Sequence, residues 1–321
     1  MIETNNIYNG DTIELMSKVD DKSIDLILTS PPYLASIRQD NHKYPGAKDI
    51  IRDNQTPEKY IEWIVDIFKQ YERILSDDGV IVYNLSYTTF NPSLPYQVIA
   101  EIFKQTDLMI ADTVAWEKSS CVPLSGHPNR LTRKAEFVYI FVKKDNIESF
   151  KTNKIISSRS KTGQKYFKTY YNILKTKNND GKIDGHDATF SSEMAEFFID
   201  LYSKPFDTVL DNFMGTGTTA IACLNLNRKY IGFDLVEQYC NVAKERILNH
   251  KVKYGIYVRF IDEKGTIHIK SLYHKNYPKS GDRWYLNHDY YTIESIETEL
   301  NGDTITTKFN VKKIEDETIV Q

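Results

Sequence analysis

Apolar positions along the first 250 residues switch between two spacings. The run Ile24-Asp25-Leu26-Ile27-Leu28 is β-favouring and ends at Pro31-Pro32. Proline has no N–H for a ladder and pushes the residue before it into an extended shape, so a strand must stop there. After Thr56-Pro57-Glu58, residues Ile61, Ile64, Val65, Phe68, Tyr71 and Leu75 recur at helical spacing behind a cap and an N-terminal proline. Asp77-Asp78-Gly79 reads as a turn into a strand over 80–85, followed by a helix around 96–103 and strands around 110–116 and 137–143. Ile13, Leu15, Met16 and Val19 predict an earlier helix behind Asp11. Val209-Leu210-Asp211 is a short strand, and a helix opens at Thr218-Thr219 after a glycine loop. A strand over 229–234 and a helix over 236–248 close this region. Strands and helices alternating at these lengths specify an α/β fold with a mostly parallel sheet covered on both faces. Beyond residue 250 the pattern becomes strands and turns, punctuated at 262–265, 279–282 and 301–303, and predicts a small β-rich appendage.

Composition adds bounds. With 321 residues, net charge −3 and ordinary apolar and charged fractions, the chain can bury one large α/β core with an appendage. No apolar run approaches the roughly 20 residues of a membrane span, and the N-terminus lacks a basic-then-apolar signal, so a cytoplasmic protein is expected. Three scattered cysteines suggest neither a disulfide framework nor a metal site. Charge matters locally. Residues 143–182 hold eleven lysines and arginines against three acidic residues, with Tyr166, Phe167, Tyr170 and Tyr171 among them. Interleaved basic and aromatic residues are the footprint of nucleic-acid binding, and Arg159, Lys161, Lys165 and Lys168 are the candidates; a solvated insert is the plainer alternative. Residues 34–55 are polar and too long for a connector, and they read either as a solvated loop or as a flap that meets a nucleic-acid backbone through basic residues such as Arg38.

The chemistry concentrates at two loops. At Ser30-Pro31-Pro32-Tyr33 the strand has ended, so carbonyls there are free to accept other hydrogen bonds beside an aromatic face. That combination suits a planar ring bearing an amino group. In Asp211-Asn212-Phe213-Met214-Gly215-Thr216-Gly217-Thr218-Thr219 the glycines allow a sharp turn and close ligand approach, ahead of a helix N-terminus. The loop lacks the Gly-Lys-Ser/Thr ending of a P-loop and the third glycine of a dinucleotide fingerprint. Asp234, ending the next strand with Leu235 after it, stands where a βαβ nucleotide site holds ribose hydroxyls.

Together, residues 29–33, 211–219 and 230–234 resemble the amino-group DNA methyltransferases. The catalytic loop precedes the cofactor loop, which is similar to the permuted, or β, class and opposite to protein-glutamine and many RNA methyltransferases. The resemblance spans about residues 7–249 and implies a Rossmann-like fold, with S-adenosyl-L-methionine as cofactor. By it, Ser30, Pro31, Pro32 and Tyr33 are catalytic. Asp11, Phe190, Asp211, Asn212, Phe213, Gly215, Gly217, Thr218, Thr219, Asp234 and Leu235 hold the cofactor. Lys118, Arg130, Arg38 and the basic segment meet DNA. Residues 1–142 form a catalytic half, 143–185 a target-recognition insert, 186–250 a cofactor half and 251–321 the appendage. Two departures stand out: Asp187 and Ser191 replace apolar or proline residues of the motif around Phe190, and Asn212 and Thr216 replace a frequent proline and serine in the glycine loop.

The implied reaction is methyl transfer to an exocyclic amino group of a flipped base, at a few kcal/mol of unstacking. Ser at the first loop position and Arg130-Leu131-Thr132 resemble the cytosine-N4 group more than the adenine-N6 group. A non-catalytic DNA-binding protein on the same fold is the reading from another class. Partners implied are double-stranded DNA and, within a modification pair, a cognate restriction endonuclease; the chain would act as a monomer or homodimer, in a bacterium or from a phage.

Overall fold

The computed structural model describes residues 2–34, 56–86, 91–121, 128–129, 131–181 and 190–250, and the backbone of strands between 255 and 313. The chain divides into two units, Met1–Lys251 and Val252–Gln321.

The first unit runs β1 (Asn6–Asn9), α1 (Thr12–Met16), β2 (Ile24–Thr29), α2 (Pro57–Ile74), β3 (Leu75–Leu85), α3 (Leu94–Gln105), β4 (Leu108–Lys118) and β5 (Ala135–Lys143). It continues through β6 (Ile156–Arg159), β7 (Lys165–Phe167), β8 (Ile173–Thr176), α4 (Ser192–Tyr202), β9 (Thr208–Asp211), α5 (Thr218–Asn225), β10 (Lys229–Asp234) and α6 (Glu237–Asn249). Eight of these strands form one sheet in the order β1-β10-β9-β2-β3-β5-β4-β8. Its first five strands are parallel, β5 runs against β3 and β4, and β8 is parallel to β4.

Both faces of the central strands are apolar because both are covered, and successive side chains point to opposite faces. Ile27, Ile81, Tyr83 and Phe141 pack under α1, α2 and α3. Leu28, Val80, Val82, Val138 and Ile140 pack under α4, α5 and α6. Helix α2 is capped by the Thr56 side chain, opens with Pro57 and buries eight side chains, including Tyr60, Trp63, Phe68 and Tyr71. Fully burying one large apolar side chain stabilises by roughly 1.5–3 kcal/mol, so α2 is a principal support of the sheet.

Three expectations are modified. Asp77-Asp78-Gly79 is not a turn ahead of the strand: β3 begins at Leu75, and the ladder with β2 skips from Ile24↔Leu75 to Leu26↔Val80, absorbing the polar residues as an irregularity. The basic segment is not wholly separate from the sheet. Its end, β8, pairs with β4 from Ala115↔Ile173 to Lys118↔Thr176, while β6 and β7 form their own hairpin. In the second unit, where short strands were expected, two strands reach thirteen and ten residues.

That unit holds the hairpin β11 (Gly255–Ile261) with β12 (Ile267–Tyr273), and a three-stranded antiparallel sheet of β13 (Arg283–Leu286), β14 (Asp289–Asn301) and β15 (Thr304–Lys313). No helix among the described residues is long and apolar enough to cross a membrane.

Candidate active site

From β9 the chain proceeds to β10 on one side of the sheet, and from β2 to β3 on the other. A sheet that reverses in this way opens a crevice at the carboxyl ends of its strands, the general position of ligand sites in such folds. One hydrogen bond crosses that point. Thr29 Oγ1, at the end of β2, donates to Asp211 Oδ1, at the end of β9, over 2.7 Å. The other oxygen of Asp211 accepts from Thr219 Oγ1 (2.5 Å) in α5, and Phe213 N also donates to Oδ1. Asp211 therefore ties the two halves of the site together. Burial, partly offset by these donors, pushes its carboxyl up to about 6.

Asn212 is equally occupied: it donates to Thr12 Oγ1 (2.7 Å) in α1 and accepts from Tyr71 OH (2.5 Å) in α2. An amide can hold a donor and an acceptor at once, which proline at this position cannot do. Gly217 then precedes α5 in the left-handed region (φ 88°), where a Cβ would come within 2.9 Å of Ala243 Cβ in α6. A side chain is thus excluded twice, by φ and by space. No side chain caps α5, whose N-terminus opens beside the loop. Arg246 of α6 holds the loop from behind, donating to the carbonyl of Thr216 and to its hydroxyl.

Asp234 ends β10 with Oδ2 accepting from Gly215 N (2.8 Å) and Oδ1 from Val236 N (2.8 Å). Each oxygen retains a lone pair for a further donor. Burial raises this carboxyl to about 6 as well. Leu235 beside it is an exposed apolar side chain, and Phe213 is partly buried against the Trp63 ring. Asp11 caps α1, its Oδ1 accepting from Ile13 N and Glu14 N, and Gly10 N donates to Asp234 O.

The Ser30–Tyr33 segment is held by a polar network. Ser30 Oγ and Tyr33 OH lie 2.8 Å apart, and Tyr33 OH donates to Glu136 Oε2 (3.2 Å) on β5. Asn84 Nδ2, at the end of β3, reaches Tyr33 OH (2.8 Å), Glu136 Oε2 (3.1 Å) and Ser30 Oγ (3.4 Å). Glu136 Oε1 is ion-paired with Lys118. Tyr60 OH donates to Pro32 O (2.6 Å), so that carbonyl is already spoken for within the fold. Burial and the Glu136 charge push the Tyr33 phenol well above its usual value. Leu34 closes the segment at φ 52°, buried, a conformation rare for a branched side chain and held by packing.

A family model described as DNA methylase, for the N6/N4 type, matches residues 24–245. The chain belongs to this family. It is 29% identical over 277 residues to the type II methyltransferase M.SmaI of Serratia marcescens, covering 76% of this chain and 91% of that one. M.BglII of Bacillus subtilis is 25% identical over 261 residues, covering 74% and 68%. Among solved structures, the PvuII DNA methyltransferase, titled cytosine-N4-specific, shares the fold with a TM-score of 0.61 at 23% identity, over 78% of this chain and 89% of that one. As a member of this DNA methylase family, the protein takes its methyl group from S-adenosylmethionine.

The remaining expected residues of this methylase fall at different places. Lys118 is drawn into the ion pair with Glu136 and sits 5.0 Å from the Trp116 ring centroid, so its charge is engaged inside the site. Arg159 and Lys165 face each other across the exposed β6–β7 hairpin, with Lys161 in its turn and Lys168 just beyond it. Phe190 is partly buried against the α4 side of the core, and Ser191 caps α4 through Met194 N. Arg38, Arg130, the 35–55 flap and residues 186–189 of the Phe190 motif lie outside the described residues. Sequence reasoning included Thr29 in the loop motif without a role and missed Asn84. Asn84 had a signal, a lone amide in an otherwise apolar strand; Glu136, just ahead of the strand predicted at 137–143, was not among the expected site residues.

Proposed function

We propose that this DNA methylase transfers the methyl group to N4 of a cytosine flipped out of duplex DNA, with Ser30-Pro31-Pro32-Tyr33 as the catalytic loop. The observation that carries the reading is the placement of Ser30. Its hydroxyl stands at the end of β2, held by Tyr33 and Asn84, one residue beyond the Thr29–Asp211 bond that leads to the glycine loop. An amino group brought to Ser30 is thereby brought beside the loop proposed to hold the cofactor, which supplies an electrophilic methyl group on sulfonium when bound.

The donor set fits that cofactor. The uncapped start of α5 suits its carboxylate, the spare lone pairs of Asp234 suit ribose hydroxyls, and Leu235 and Phe213 offer apolar surface for its adenine. Asp11 and Phe190 complete the set by resemblance. Asp211 and Asn212 serve it through the backbone they hold, since their side chains are committed to Thr29, Thr219, Thr12 and Tyr71.

The amino lone pair of cytosine is delocalised into its ring. Ser30 Oγ, accepting one N–H with the Pro31 carbonyl nearby, draws that nitrogen towards tetrahedral geometry and directs the lone pair at the methyl group. Tyr33 packs against the extruded base, an aromatic contact worth roughly 1–3 kcal/mol, comparable to the cost of extrusion. The hairpin cations Arg159, Lys161, Lys165 and Lys168 hold the DNA backbone, and a cognate restriction endonuclease is the proposed biological companion. Ser at the first position of the loop supports cytosine over adenine. Transfer of labelled methyl to unmethylated genomic DNA, followed by nucleoside analysis, tests this: label in N4-methylcytosine is expected, and label in N6-methyladenine overturns the base assignment.

A further inference from the structure

The polar network behind the catalytic loop has a direction. Glu136 as a carboxylate can only accept, so the single proton of Tyr33 OH points to Glu136 Oε2 (3.2 Å). Asn84 Nδ2 donates to the same tyrosine oxygen (2.8 Å). Of the Ser30–Tyr33 pair at 2.8 Å, Ser30 is then the donor. Its hydroxyl keeps only lone pairs for anything arriving from the crevice. Lys118 anchors Glu136 by its other oxygen, leaving Oε2 turned to Tyr33, and both side chains are shielded, at 15% exposure for Glu136 and 25% for Lys118.

We propose that Ser30, Tyr33 and Glu136 form a proton relay that carries the proton lost by the amino nitrogen away from the reacting atoms, with Glu136 as its terminal acceptor. The inference rests on the amino-transfer reading above. In the step, the amino nitrogen gives its lone pair to the new N–C bond while the old S–C pair is left on sulfur, and it must then shed one proton. That proton passes to Ser30 Oγ, the Ser30 proton to the Tyr33 oxygen, and the Tyr33 proton to Glu136 Oε2. One positive charge is lost at sulfur and one negative charge at Glu136, so the site ends with the same net charge. Glu136 acts through Tyr33 and is a positioning residue; its carboxylate sets which way every proton in the chain points. Asn84 fixes the geometry while its own Oδ1 is buried without a hydrogen-bond partner among the described residues.

The test is single-turnover methyl transfer to DNA by wild type, Glu136→Gln, Tyr33→Phe and the double variant, alongside dissociation constants for cofactor and DNA and a pH–rate profile. Each single variant is expected to slow transfer about 10- to 100-fold, in the range of general-base effects, with both dissociation constants within about twofold of wild type. The double variant is expected to be no slower than the worse single one, because one broken link breaks the chain. The pH dependence of the rate should change shape between wild type and Glu136→Gln, and Glu136→Asp should restore part of the rate. Wild-type rates in both single variants overturn the relay while leaving the reading intact, as does a rate loss matched by weaker binding or lower thermal stability. A wild-type chain that moves no methyl group to DNA overturns the reading and the relay with it.

Discussion

Two carboxylates end adjacent parallel strands, and burial has raised both to about 6. For Asp234 this has a direct consequence in binding. A protonated carboxyl loses an acceptor, so cofactor affinity should weaken as pH falls through about 6, by roughly tenfold per unit below it, and Asp234→Asn should abolish that dependence; titration calorimetry between pH 5 and 8 reads it. For stability the sign is opposite. The folded chain binds protons that the unfolded chain, whose carboxyls titrate near the ordinary 3.8, has already lost, so stability falls as pH rises from about 4 to about 6. Asp211→Asn removes one of these protons, and the fall of the urea midpoint with rising pH in that window should become shallower. Asp211 and Asn212 were legible in the sequence as loop residues, and their partners outside the loop were not. Those partners lie 182, 141 and 200 residues away, at Thr29, Tyr71 and Thr12, and no local spacing records such pairings. Asp11 was legible in both its possible roles, and the structure shows the cap.

At the scale of elements, the strongly periodic segments were the readable ones. Helix α2 and strand β2 follow from spacing, cap and proline alone. The β3 start was misread because Asp77-Asp78-Gly79 has turn chemistry, yet the neighbouring ladder with β2 tolerates an irregularity there. The β6–β7 hairpin was visible only as charge. Its register sets Arg159 directly against Lys165, like charges that repel across the pair. A polyanion relieves that repulsion. Arg159→Ala with Lys165→Ala should therefore reduce the slope of log affinity for DNA against log salt by about 2, at roughly 0.9 for each phosphate contact, while leaving the rate at saturating DNA unchanged. Filter binding across a salt series measures it.

At the scale of the whole molecule, the first unit closes its own sheet and both of its apolar faces within Met1–Lys251. A chain ending at Lys251 is accordingly expected to unfold cooperatively within a few degrees of the full chain and to bind the cofactor with unchanged affinity, as scanning calorimetry and titration can show. The α/β class, the order of the two loops and the change of character after residue 250 were all legible, because each is carried by long stretches of pattern. The sheet order was not legible, since alternation says that strands are parallel and not which of them touch. That order has a temporal side. Strand β2 has β3 on one side and β9 on the other, and β9 begins at Thr208. On a ribosome adding about 5–20 residues per second, the free edge of β2 waits on the order of ten to forty seconds for its second neighbour. During that interval the nascent chain carries an open apolar strand edge, the kind of surface that recruits other chains, and arrival of the cofactor-loop strand is what closes it.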